Sequence, residues 1–247
     1  MERESLEEEL GRAHELSVPA LADAIESIGF ECTRCGACCR ANEPEDGTGD
    51  GPGGREPHTA TLFPDEAREL QEAAAAAEAA GDAVDRDLDR EYDWRDVARP
   101  MPYGLRDGPD GPAGETFEWA IQTDVCGDCT FYREDDSGTG ACTVHERRPL
   151  VCRTYPFSVA LGGTTQPLGE AVDREGLVRA HECEGLGRDI DREAAEELAA
   201  ALRRRAIREL EEAIALRDRY EPRPDADGVV VHDSEGAKRP DGTLLDD

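Results

Sequence analysis

Apolar residues recur at helical spacing in several stretches of this chain. Leu6, Leu10 and Leu16 mark a first helical segment within residues 5–28; Leu21, Ala24, Ile25 and Ile28 mark a second that opens at Pro19 and stops at Gly29. Leu62 and Phe63 lead into a third, with Pro64 in its first turn, an alanine run read as plain helix, and Gly81 at its end. From 189 to 220, Ala195, Leu198, Leu202, Ala206, Leu210 and Ile214 return every three or four residues with charges elsewhere, which predicts a long helix capped by Asp189 or Asp191. TFEWAIQ (116–122) alternates polar with apolar and FSVAL (157–161) is short and apolar, so both predict strands.

Breakers divide these stretches. Residues 42–57 and 100–115 are rich in Gly, Pro and acid and predict loops and turns. Pro, Gly and Asp dominate again beyond 221, where a disordered acidic tail is expected. The pattern predicts an α+β fold: a small, irregular domain tied by cysteines and metal, with long flanking helices and few short strands. Its expected parts are an N-terminal helical segment (1–29), a cysteine-cluster metal-binding domain (30–188), a C-terminal helix (189–220) and the tail (221–247).

Composition sharpens this picture. Of 247 residues only 38% are hydrophobic and 5% aromatic, a modest supply for a core of this length. Asp and Glu number 58 against 28 Lys and Arg, for a formal charge of −30, and Lys238 is the only lysine. Acid spread along the whole chain with almost no lysine points to life in concentrated salt, where self-repulsion is screened within about 3 Å at 1 M. Nucleic acid, which needs basic groups facing phosphate, is excluded as a partner. No apolar run nears the roughly 20 residues of a membrane span, and the acidic start MERESLEEEL lacks the apolar stretch of a signal peptide. The expected location is cytoplasmic, where paired structural disulfides are disfavoured.

Nine cysteines carry the candidate chemistry. Cys32, Cys35, Cys38 and Cys39 fall in ECTRCGACCR; Cys126, Cys129, Cys142, Cys152 and Cys183 follow. A C-x2-C turn points two thiolates at one ion about 2.3 Å away with little strain, and Gly36 lets the backbone turn tightly between ligands. C-x2-C-x2-C matches the start of a ferredoxin run, but Cys39 breaks it at the fourth position. Adjacent side chains point apart, so Cys38 and Cys39 are not expected to share one ion easily. One of them would serve a second ion, bridge two ions or stand outside. His145 and His181 lie near cysteines as alternative ligands, with His58 a weaker candidate. Arg147, Arg148 and Arg153 form a basic island; Arg148 and Arg153 are placed to donate to thiolate sulfur and offset its charge.

CTRCGACCR, then CTFY, then ACTVHERRPLVCRTYPF and a late cysteine resemble the YkgJ-type CxxCxxCC cysteine-cluster family, described as a zinc- or iron-chelating domain and often labelled as containing an iron–sulfur cluster. The acid surplus suggests a halophilic archaeal form of it. The resemblance covers residues 30–185. It implies as metal ligands Cys32, Cys35, Cys38, Cys39, Cys129, Cys142, Cys152 and Cys183, in a composite site, and leaves Cys126 as an accessory or alternative thiol. Tyr132 stands where the family has Leu, and His145 where Tyr is common. The implied cofactor is zinc or iron, including an iron–sulfur cluster. Zinc and iron share thiolate ligands, and sequence does not choose between them. The alternative is a metal-dependent enzyme, redox or methyl-transfer related, using the same cysteine-bound centre. A related cysteine segment occurs in flagellin lysine methylases, but no methyl-donor site is recognisable here.

Overall fold

The computed structural model describes residues 4–43, 54–79, 92–109, 111–161, 171–173, 176–224 and 226–245. In chain order its elements begin with α1 (Leu6–Glu15), α2 (Val18–Ile28), β1 (Thr61–Leu62), α3 (Pro64–Ala79) and α4 (Trp94–Val97). Next come β2 (Ala98–Pro100), β3 (Arg106–Gly108), β4 (Gly111–Thr116), β5 (Trp119–Ile121), β6 (Tyr132–Glu134) and β7 (Gly140–Cys142). The remainder are α5 (Leu150–Thr154), β8 (Phe157–Val159), β9 (Ala171–Asp173), β10 (Val178–His181), α6 (Arg192–Arg219), β11 (Val229–Asp233) and β12 (Gly236–Lys238). Helices, small sheets of short strands and one long C-terminal helix make the fold α+β. Gly81 and most of the 42–57 loop lie outside the described residues, although Asn42 and Glu56 pair with each other at the loop's ends.

By their contacts the described residues form two compact units: Met1–Cys35 with Leu150–Ile214, and Gly36–Pro149 with Ala215–Asp247. The division cuts the expected 30–188 domain, and it runs between Cys35 and Gly36, inside the cysteine quartet.

The first unit is built by amphipathic helices on a small sheet. Ser17 caps α2, Pro19 occupies its first turn and Gly29, at φ 77°, ends it. Asp191 accepts from the Ala194 N–H at 2.8 Å and caps α6. The apolar stripe of α6, with Ala195, Ala199, Leu202, Ala206 and Leu210, meets Leu21 and Ile25 of α2 and Phe157, Val178 and Ala180 of the β8–β10–β9 sheet in one core. Arg205 is buried among these groups; it donates to Thr154 Oγ1 at 3.0 Å and the Phe157 carbonyl at 3.4 Å, and pairs with Glu209 at 2.7 Å. A cation on the helix's buried face thus fixes the junction of α5 and β8.

The second unit holds a three-stranded antiparallel sheet (β1–β5–β2), the β6–β7 hairpin and a four-stranded sheet in the order β12–β11–β4–β3. Two expectations are corrected here. Residues 100–115 are not only turns: they form the β3–β4 hairpin, whose Gly111 and Gly114 at φ 115° and 125° take backbone that side chains avoid. Nor is the chain beyond 221 disordered throughout. β11 lies parallel to β4 and antiparallel to β12, with Val230 and Val231 buried. Nonlocal partners fold it: Asp233 accepts from the Trp119 indole at 2.8 Å, and Lys238, itself buried, reaches Asp233 at 2.8 Å and Glu235 at 2.6 Å while lying 5.4 Å over the Trp94 ring.

Candidate metal sites in the two units

In the first unit, hydrogen bonds tie the segments that carry Cys32, Cys152 and Cys183 to one another. The chain leaving α2 pairs with the loop after β10: Phe30 bridges Leu186, the Glu31 N–H donates to the Gly185 carbonyl at 3.0 Å, and the Gly187 N–H donates to the Gly29 carbonyl at 3.0 Å. That zipper sets Cys32 beside the Cys183 loop. Gly185 is required there, because a Cβ would stand 2.3 Å from the Glu31 carbonyl oxygen. Its N–H also points at the Cys183 sulfur, 3.5 Å away. Cys152 sits on α5, which is tied to the same loop through the Tyr155 hydroxyl, a donor to the Glu182 carbonyl. Between Cys32 and Cys35 the chain turns through Arg34 at φ 57°, the one non-glycine residue of positive φ among the described residues. Such backbone is unfavourable for an arginine and tends to be kept where a turn serves a site.

In the second unit, Cys38 and Cys39 lie on a single 3-10 turn, Ala37–Cys39, entered through Gly36 at φ 75°. The Cys39 carbonyl accepts the Cys129 N–H at 2.8 Å. The β6–β7 register sets Cys142 opposite Tyr132, three residues from Cys129. Burial raises Cys129 and Cys142, and nearby thiols add to it: Cys142 and Cys38 act on Cys129, and Cys38 acts on Cys142. The Tyr132 ring covers the turn so closely that a Cβ on Gly36 would meet its hydroxyl at 2.2 Å; that hydroxyl donates to Glu134 at 2.6 Å.

The sulfurs of Cys38 and Cys39 are 3.8 Å apart. This corrects the expectation that neighbouring side chains diverge, a rule that belongs to regular helix and strand. A 3-10 turn following a left-handed glycine brings both thiols to one side. Four sulfurs arranged tetrahedrally about 2.3 Å from an ion are separated by about 3.8 Å, so this pair already has ligand spacing. Among the described residues no group of three or more His, Cys, Asp or Glu side chains is placed to hold a metal ion.

The electrostatics divide the thiols by role. Cys38 is lowered to about 7, first by its hydrogen bond with Cys39 and further by the Arg148 guanidinium. Burial pushes Cys129 up to about 12, and burial likewise raises Cys142, against the pull of Arg148. Arg148 is positioned by its own donation to the His145 carbonyl at 3.0 Å. A thiolate set of this kind, with an arginine offsetting its charge, suits the soft-ligand demands of zinc and iron.

The remaining sequence candidates stand differently. Cys126 is exposed at the tip of a turn held by Asp124, which accepts its N–H at 2.8 Å. His145 is exposed and lies 3.1 Å from Glu146. His181 is buried in β10 with its ring 2.9 Å from Ser158 Oγ. His58 is buried, and burial with nearby Arg99 lowers it to about 4, leaving a neutral ring. Arg153 is exposed on α5. Sequence reasoning missed Tyr132 and Arg205 as positioning groups; the aromatic in C-x-F-Y was the only local signal for the first.

The family model CxxCxxCC, described as a putative zinc- or iron-chelating domain, matches residues 31–184. No curated protein and no solved structure matches the chain. The matched span holds all nine cysteines and more than half of the sequence. The chain belongs to the CxxCxxCC family.

Proposed function

We propose that this protein chelates zinc or iron through the eight family cysteines, Cys32, Cys35, Cys38, Cys39, Cys129, Cys142, Cys152 and Cys183. The observation that carries the reading is the 3.8 Å sulfur–sulfur spacing of Cys38 and Cys39, joined to Cys129 by the hydrogen bond from its N–H to Cys39. The bound ion supplies positive charge that organises thiolates. The chain's residues do the rest. Cys38 offers a ready thiolate near neutral pH; Cys129, buried and protonated, gives up its proton only when a cation arrives. Arg148 compensates the accumulated negative charge, and Tyr132 covers the turn. An iron–sulfur cluster is the iron form of this reading, and a reducing cytoplasm rich in salt is its setting, supported by nine thiols in a chain of charge −30.

Anaerobic purification followed by metal and sulfide analysis tests this. Stoichiometric zinc in a colourless protein, or iron with visible absorption, is the expected result, and acid-labile sulfide marks the cluster form. A reduced chain that binds neither metal overturns the proposal. Circular dichroism across a salt dilution tests the setting, with loss of helix expected on transfer from molar KCl to dilute buffer.

A further inference from the structure

The quartet at 32–39 reads in sequence as one motif, yet its halves belong to different units. Cys32 and Cys35 share a unit with Cys152 and Cys183; Cys38 and Cys39 share the other with Cys129 and Cys142. Each unit therefore holds four family cysteines, the number a closed tetrahedral site takes. Ties within each unit support the partition. In the first, the 30–31 segment is hydrogen-bonded to the loop after Cys183, and Tyr155 ties the Cys152 helix to Glu182. In the second, Cys38 and Cys39 stand at tetrahedral spacing, Cys129 bonds to Cys39, and the β6–β7 hairpin carries Cys142.

We propose that the eight cysteines form two independent four-thiolate centres, Cys32, Cys35, Cys152 and Cys183 in the first unit and Cys38, Cys39, Cys129 and Cys142 in the second, with Cys126 in neither. The inference rests on the metal-chelating reading and divides its ligands. Each centre forms without redox change: a divalent ion binds four sulfurs and up to four thiol protons leave to solvent. The left-handed Arg34 serves the first centre, since it lies between that centre's two N-terminal ligands. Arg148 belongs to the second unit, where it donates to the His145 carbonyl three residues after Cys142.

The experiment titrates the reduced full-length chain with Co(II) and then Zn(II) under anaerobic conditions, with native mass spectrometry counting ions. The wild type should take up about two equivalents, both with the intense visible bands of tetrahedral four-sulfur cobalt. The pair Cys38→Ala with Cys142→Ala, and separately Cys32→Ala with Cys183→Ala, should each retain one such equivalent. Cys126→Ala should retain both. A wild type that saturates with one ion, or with a single polynuclear centre, overturns the division while metal chelation stands. Loss of every four-sulfur band from either pair, in protein that circular dichroism shows is folded, overturns it too. A wild type that binds no zinc or iron overturns both readings. The wild-type count needs no variant, so misfolding of a mutant leaves the test intact.

Discussion

The two units keep their interiors by different means. In the first, one continuous apolar cluster joins three helices to a small sheet, and its buried cation, Arg205, serves to position α5. In the second, strands are two to six residues long, glycine and proline fill the turns, and the buried pair Asp233 and Lys238, joined by the exposed Glu235, anchors the C-terminal strands to Trp119 and Trp94. Apolar burial is nondirectional and tolerates substitution; a buried charge network holds only while every member is present. The contrast shows where stability is brittle. Both units bury apolar side chains, the second including Leu62, Leu70, Met101, Trp119 and Ile121, but the second also depends on a buried lysine paired with carboxylates.

Removing metal should break the comparison most visibly. Structural zinc contributes roughly 10–16 kcal/mol in small peptides at pH 7, and less is expected where a core persists. Hydrogen exchange with and without a chelator should show protection lost over 36–43 and 126–145, with the 195–210 stretch of α6 retained. Equal loss in both stretches would abolish the distinction between the units. Lys238→Ala should come next: it strands buried Asp233 and should cost about 3–5 kcal/mol in urea unfolding, while Lys238→Ala with Asp233→Ala should cost less than the single change. In the first unit, Leu202→Ala should cost about 2–5 kcal/mol by leaving a cavity, with no such rescue by a second site.

Acid should separate the units further. His58, in the second, is held neutral by burial, from an ordinary value of 6.5 down to about 4. Its folded pKa lies below its unfolded one, so its contribution is complete above about 6.5 and is lost as pH falls through about 4. Stability of the second unit should decline across that window, by an amount on the order of 3 kcal/mol, and His58→Phe should flatten the decline in a pH series of urea midpoints. The smallest effect belongs to a surface cap: Asp191→Ala should lower stability by about 1 kcal/mol, read as reduced protection at the first turn of α6.

Much of the first unit was legible in the sequence, because its information is local. The spacing of Ala195, Leu198, Leu202, Ala206 and Leu210 gives α6, and Pro19 and Gly29 bracket most of α2. The tail was not legible, since Val229–Asp233 becomes a strand only beside β4, more than a hundred residues earlier. The β3–β4 hairpin was hidden by the glycines and prolines that make it. For the thiols, the family motif named the eight residues, but the approach of Cys38 to Cys39 depends on left-handed backbone at Gly36, which a rule for regular helix and strand does not anticipate. How the set divides between units depends on contacts such as Glu31 with Gly185, and these leave no mark in local composition.

The burial of Lys238 has a chemical consequence. It carries the chain's only ε-amine, and that amine is enclosed between two carboxylates. Reagents that acylate amines should therefore find one slow side-chain target, whose rate of modification measures how often the C-terminal strands come loose. The residue works as a built-in clock for one local opening, readable by mass spectrometry as the mass of one added acyl group.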